Sequence, residues 1–240
     1  MTREVSKDIQ CPTASSLGDC WADINYCMGL GLERNEIIRL AAWRIKGSKK
    51  RWCNKLLEIL PLFENDDMVQ IVESEATVPG LGWRCGHIYP PSSTKIKWSP
   101  NSSKKICYQF DARSKVPARF PSKEIEDEVL NHVIKLGYEV IKLSAEKTLK
   151  ECVTEVANCE IFLGVDSGMA TLTASVGTPI FFCKNNRPIE VWETMNHSKK
   201  HYIIANDYIE LMYNISEYTA NGISHYVKNA KNISFFSNRE

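Results

Sequence analysis

The chain has 240 residues, 43% hydrophobic, 10% aromatic and 25% charged, which excludes wholesale disorder and fits one large domain or two small ones. Thirty Lys+Arg face 29 Asp+Glu, so a net charge of +1 excludes a globally polybasic or polyacidic protein and leaves local patches open. No run approaches the ~20 apolar residues of a membrane span, and residues 1–10 lack the apolar core of a secretory leader. Nine cysteines, an odd number at scattered spacing with no CxxC, predict reduced thiols in a cytoplasmic protein and no structural metal.

The first hundred residues are irregular in pattern. A helix is expected from about Cys20 to Leu32, with further apolar-periodic segments over Glu36–Ile45 and Trp52–Leu60. Val69-Gln70-Ile71-Val72 is strand-like. Residues 77–103 are rich in Pro, Gly and Ser and read as loops followed by a linker. This places a boundary near Ser103, dividing the chain into 1–103 and 104–240.

Strands and helices then alternate. Lys105–Phe110 is a strand, and Ile125, Val129, Val133 and Leu136 mark a helix that Gly137 ends. Tyr138–Leu143 is the next strand, and Leu149, Cys152, Val153 and Val156 mark the next helix. A buried strand at Ile161–Val165, a helix from Gly168 to Val176 and a strand over Thr178–Cys183 follow. Such alternation predicts an α/β fold with a parallel sheet covered on both faces. Residues 207–230 carry two weak helical patterns.

Two motifs carry chemistry. In Gly164-Val165-Asp166-Ser167-Gly168-Met169-Ala170-Thr171-Leu172 a buried strand runs through a tight turn into a helix. The free N–H groups and positive dipole end of that helix suit an anion, at the carboxyl end of a parallel strand where α/β sheets bind ligands. Gly168 admits a close approach to the backbone, and Ser167 offers a hydroxyl. A capped helix with a turn glycine explains the same residues equally well. The second motif is Ala14-Ser15-Ser16-Leu17-Gly18-Asp19-Cys20-Trp21, a small-residue loop with a carboxylate at a helix start. It reads either as a cap or as a carboxylate facing a cleft, able to take a proton from a hydroxyl.

Together the two resemble a family. Ser-Ser-Leu-Gly-Asp is similar to the Ser-Ser-Met-Gly-Asp loop of heptosyltransferases. Val165-Asp166-Ser167-Gly168-Met169-Ala170-Thr171-Leu172-Thr173-Ala174-Ser175-Val176-Gly177-Thr178-Pro179 resembles their nucleotide-sugar motif, Asp-(Ser/Thr)-Gly-x-x-His-Leu-x-Ala-x-x-Gly-x-Pro. The chain resembles a short member of the family-nine glycosyltransferases, whose GT-B fold sets two Rossmann-like domains with parallel sheets across a cleft. The likeness runs from about Ile106 to Cys183 and, in the first half, over Thr13 to Gly29. It implies an α/β, GT-B-like fold with a reduced N-terminal, acceptor-side domain and a strand over Glu4–Cys11.

The resemblance also implies a mechanism. Asp19 would be the general base of an inverting transfer from a UDP- or ADP-linked sugar, with no cofactor and no catalytic metal. Asp166, Ser167, Gly168 and Met169 would hold the donor. Thr171 stands where the family has histidine and offers a shorter, uncharged donor. Arg113, Lys115 or Arg119 would neutralise the diphosphate. Ser16 and Gly18 would lie on the acceptor side.

Arg44, Lys46, Lys49, Lys50, Arg51 and Lys55, with Trp43 and Trp52 among them, form a run without acidic residues. Lys95, Lys97, Lys104 and Lys105 form a second patch. Basic groups with interleaved aromatics suit a phosphate-bearing acceptor, either a glycan or DNA with modified bases of the kind phages glycosylate. A solvated helix face explains the run as well. A non-catalytic nucleotide-sugar binder is the competing function. A 2-epimerase fits less well, because His87, His132, His197, His201 and His225 form no motif.

Overall fold

The computed structural model describes residues 4–10, 17–43, 51–74, 92–111, 121–144, 146–165, 167–183 and 202–230. Two parallel sheets organise them. The first holds β1 (Glu4–Gln10), β2 (Glu36–Trp43) and β3 (Val69–Ser74) in that order. Helix α1 (Leu17–Arg34) joins β1 to β2. Helix α2 (Arg51–Ile59) and two 3-10 turns, Leu60–Leu62 and Asp66–Met68, lie between β2 and β3. Both crossovers step the same way along the sheet, so both helices share one face. There Ile24, Cys27 and Met28 of α1 and Leu56 and Ile59 of α2 bury Ile38 and Leu40 of β2.

The apolar-periodic segment from Glu36 is a strand. Asn35 adopts a left-handed conformation (φ 54°) and stops α1 just before it. Ile38, Leu40 and Ala41 are all fully buried, and a short run that is apolar on both faces has no decisive period. The β-branched pair Ile37-Ile38 and the central place between β1 and β3 favour the extended form.

The second sheet contains β4 (Lys105–Gln109), β5 (Glu139–Lys142), β6 (Ile161–Gly164), β7 (Ile180–Cys183) and β8 (Tyr202–Ala205). Their spatial order is β5-β4-β6-β7-β8, all parallel. Helices α3 (Lys123–Lys135), α4 (Leu149–Asn158) and α5 (Gly168–Val176) make the crossovers, and α6 (Tyr208–Ala230), broken at Gly222, closes the fold. Alternate side chains serve opposite faces. Ile106, Ile161, Leu163 and Phe181 pack with Val129 and Val133 of α3 and Leu211, Ile215 and Tyr218 of α6. Cys107, Phe162, Ile180 and Phe182 pack with Val153 and Val156 of α4 and Ala170 and Leu172 of α5.

The helix ends follow their sequence signals. Ser122, Thr148 and Ser167 cap α3, α4 and α5, and Thr148 forms a capping box with Glu151. Just past α3, Gly137 takes φ 88°, which few other residues tolerate. Strand β8 has no counterpart among the expected elements.

The core on the α4/α5 face of the second sheet continues into the first half. Trp21, Ile24, Leu56 and Phe63 belong to the same cluster as Met169, Ala170, Leu172 and Val176. The Trp21 indole N–H donates to Ser175 Oγ at 2.9 Å in a buried bond. The N–H of Leu149 donates to Glu58 Oε1 at 3.2 Å.

Residues 92–103, within the stretch read as loop and linker, act as a clasp. Toward the first half, Ser92 N–H donates to Asn25 Oδ1 (2.7 Å) and Lys95 N–H to the Leu62 carbonyl (2.7 Å). Toward the second, Thr94 and Trp98 N–H donate to the carbonyls of Ser175 (3.2 Å) and Val176 (2.9 Å), which the end of α5 leaves without helical partners. The Trp98 indole reaches the Cys159 carbonyl at 2.8 Å.

Among the described residues no helix is long and apolar enough to cross a membrane. Cys20, Cys27, Cys107, Cys152, Cys159 and Cys183 are buried and in no disulfide. Those of Cys107 and Cys159 lie 2.9 Å apart, and their hydrogen bond together with burial pushes the Cys107 thiol up.

Candidate functional site

In the second sheet, the crossovers from β4 run toward β5 on one side, and the chain returns to β6 on the other. The carboxyl ends of β4 and β6 therefore flank a topological switch point, the place where open α/β sheets bind ligands. Ser167 stands there in extended conformation (φ −145°, ψ 162°) and caps α5, its Oγ accepting the Ala170 N–H at 3.3 Å. The Ser167 hydroxyl proton goes to Gln109 Oε1, 3.1 Å away at the end of β4. The N–H groups of Gly168 and Met169, in the first turn of α5, have no intrahelical acceptor and point with the helix's positive end.

The structure brings the two sequence motifs together at this point. A Cβ built on Gly168 would lie 2.6 Å from Gly18 N and 2.6 Å from Leu17 Cβ. What approaches the Gly168 backbone is thus the first turn of α1, which itself follows the carboxyl end of β1. Two helix N-termini, one from each sheet, converge. Asp19 lies in that turn of α1, next to Gly18, and its side chain is outside the described part.

Other expected site residues fall as follows. Met169 is 6% exposed, so its side chain belongs to the core and it offers the site its backbone N–H. Thr171 is 3% exposed and donates its hydroxyl back to the Ser167 carbonyl at 3.1 Å, bracing the turn. Asp166, Arg113, Lys115, Arg119, Ser16, Lys49 and Lys50 lie outside the described residues. Arg51 opens α2, with its side chain undescribed.

In the second basic patch, Lys95, Lys97 and Lys105 pair with Asp66 (2.7 Å), Glu64 (2.8 Å) and Glu139 (3.6 Å). The ammonium of Lys104 lies 4.5 Å from the centre of the Tyr138 ring. Each of these charges has a local partner.

Two residues at the carboxyl end of the sheet carried no sequence signal. Gln109 is one. Lys142, ending β5, is the other, with its ammonium 3.9 Å from Asp111 just past β4. Among the described residues no group of three or more His, Cys, Asp or Glu is placed to hold a metal ion.

The opposite end of the sheet is tied by a buried polar network. Glu160 accepts the Tyr138 hydroxyl and the Lys104 N–H, both at 3.2 Å. Burial, ahead of the nearby Glu160 charge, pushes the Tyr138 phenol up to about 12.

No protein-family model and no curated protein matches the sequence. Solved structures do match in fold. TibC, described as a bacterial iron-containing dodecameric glycosyltransferase from enterotoxigenic E. coli H10407, superposes with a TM-score of 0.55 at 13% identity, over 75% of this chain and 58% of TibC. Its complex with ADP-D-beta-D-heptose, where it is described as a heptosyltransferase, gives 0.54 at 12% identity, over 76% and 59%. The E. coli heptosyltransferase WaaC with ADP-2-deoxy-2-fluoro heptose gives 0.47 at 9% identity, over 93% and 99%.

The chain thus has an α/β fold of the GT-B type with two parallel sheets, similar to that of heptosyltransferases. It spans about 58% of the length of TibC.

Proposed function

We propose that the chain is an inverting glycosyltransferase that takes a sugar from an ADP- or UDP-linked donor. The observation that carries this reading is the convergence of the α1 and α5 N-termini at Gly18 and Gly168, beside the Gln109–Ser167 pair. Two positive helix ends with unsatisfied N–H groups suit a diphosphate and its growing charge. Asp19, one residue from the contact, takes the proton of the acceptor hydroxyl. The acceptor oxygen attacks the anomeric carbon, the bond from that carbon to the phosphate oxygen breaks, and its electron pair leaves on the diphosphate. No metal enters this step. The ADP-heptose complex of TibC supports the donor class.

On the acceptor side, the basic run from Arg44 to Lys55 supports a phosphate-bearing glycan or nucleic acid. The buried thiols support a reducing, cytoplasmic setting. A second reading, a non-catalytic nucleotide-sugar binder, is favoured by Thr171, which is buried with its hydroxyl held by the Ser167 carbonyl.

One experiment separates the two. A panel of nucleotide sugars is screened by thermal shift, and the best hit is assayed for transfer and donor hydrolysis with wild type and Asp19→Ala. Turnover that falls by about 10²–10⁴-fold in the variant, with nucleotide binding retained, is expected of a general base. Unchanged turnover removes Asp19 from the mechanism, and binding without any turnover in wild type selects the binder. Running the assay with charged acceptors at rising salt tests the basic run, whose contribution should fall steeply.

A further inference from the structure

Gln109 is the last residue of β4, on one lip of the switch point, and its side chain is half-buried. A serine hydroxyl has one proton to give. That of Ser167 goes to Gln109 Oε1 (3.1 Å), and its oxygen accepts from Ala170 N–H (3.3 Å). Thr171 gives its own proton to the Ser167 carbonyl (3.1 Å). Both hydroxyls of the turn are therefore spent within the protein, and neither has a proton left for a ligand.

The carboxamide of Gln109 is in the opposite condition. Its oxygen is held by Ser167, which fixes the plane of the amide. Its nitrogen carries two N–H donors, and among the described residues they make no hydrogen bond. They are side-chain donors at the lip of the site, on the residue that pairs with the cap of α5.

We propose that Gln109 is a donor-recognition residue whose side-chain N–H groups bind the diphosphate of the nucleotide sugar, with Ser167 acting through it as a positioning residue. This rests on the glycosyltransferase reading above. The chemistry selected is a nucleoside diphosphate over the bare nucleoside, because the donors meet charge rather than a base or ribose. Ser167 contributes by orienting an amide, and its own hydroxyl does not touch the ligand.

The test is calorimetric titration of the full chain with ADP, UDP, adenosine and uridine. Gln109→Glu keeps an acceptor for the Ser167 proton but replaces the N–H donors with a negative oxygen. It should weaken diphosphate binding by about tenfold or more, while nucleoside binding stays as in wild type. Gln109→Leu removes the donors without adding charge, should show a smaller loss of the same selectivity, and carries the test if the glutamate variant melts well below wild type. Equal diphosphate affinity in wild type and variants overturns the role of Gln109 and leaves the glycosyltransferase reading standing. A loss equal for nucleoside and diphosphate overturns it too, since it marks general damage. A wild type that binds neither ADP nor UDP overturns the reading itself.

Discussion

Glu160 is 8% exposed and holds two donors, the Tyr138 hydroxyl and the Lys104 N–H, at the amino end of the second sheet. A buried carboxylate without its partners is costly, so Tyr138→Phe should lose about 1–3 kcal/mol of stability at neutral pH. The same phenol gives a pH dependence. An unfolded chain releases its tyrosine protons near pH ~10, whereas folded Tyr138 keeps its proton to about 12. The folded state then binds more protons in that window, so stability is flat below it and falls as pH rises through it. Burial shifts Tyr218 in the same direction. Urea denaturation from neutral to alkaline pH should show this fall, made shallower by Tyr138→Phe. A variant as stable as wild type at neutral pH would mean that Glu160 finds another donor. At this scale the sequence was least informative. Ser167 and Gln109 are 58 residues apart and Trp21 and Ser175 are 154 apart, so no local pattern announces either pair.

At the scale of elements, the contact between α1 and α5 depends on an absent side chain. Even one methyl group at Gly168 would overlap Gly18 N and Leu17 Cβ. Gly168→Ala should force the two helices apart and cost about 1–3 kcal/mol, read as a lower urea midpoint without ligand. Unchanged stability would show that the helix ends do not abut as described. The strand-helix alternation from β4 to β7 was legible because its strands are short and apolar and its helices have clear periods and caps. The α5 turn was legible for the same reason. Strand β2 was legible only as an apolar segment of unassigned type, because a two-sided apolar run has no unique period. Strand β8 was missed because its four residues, Tyr202–Ala205, are too few to show a period. Composition marked residues 92–103 as loop and linker, whereas their backbone hydrogen bonds fasten both halves.

At the scale of the molecule, one core cluster runs from Trp21 and Leu56 to Met169 and Val176. Fluorescence and far-ultraviolet circular dichroism should therefore trace the same single unfolding transition in denaturant. Ser175→Ala, which leaves the buried Trp21 N–H unpaired, should move that transition to lower denaturant without splitting it. Two separated transitions would instead assign independent stability to the halves.

The shared core also sets an order of events during synthesis. The apolar face of α1 is made early, but Met169, Ala170 and Leu172, which help cover it, lie far downstream. About 100 residues separate β3 from the end of α5, and at ~5–20 residues per second translation takes roughly 5–20 s to bridge them. For that interval the nascent first half holds Trp21 and its neighbours without their final cover, an exposed apolar surface of the kind that favours aggregation.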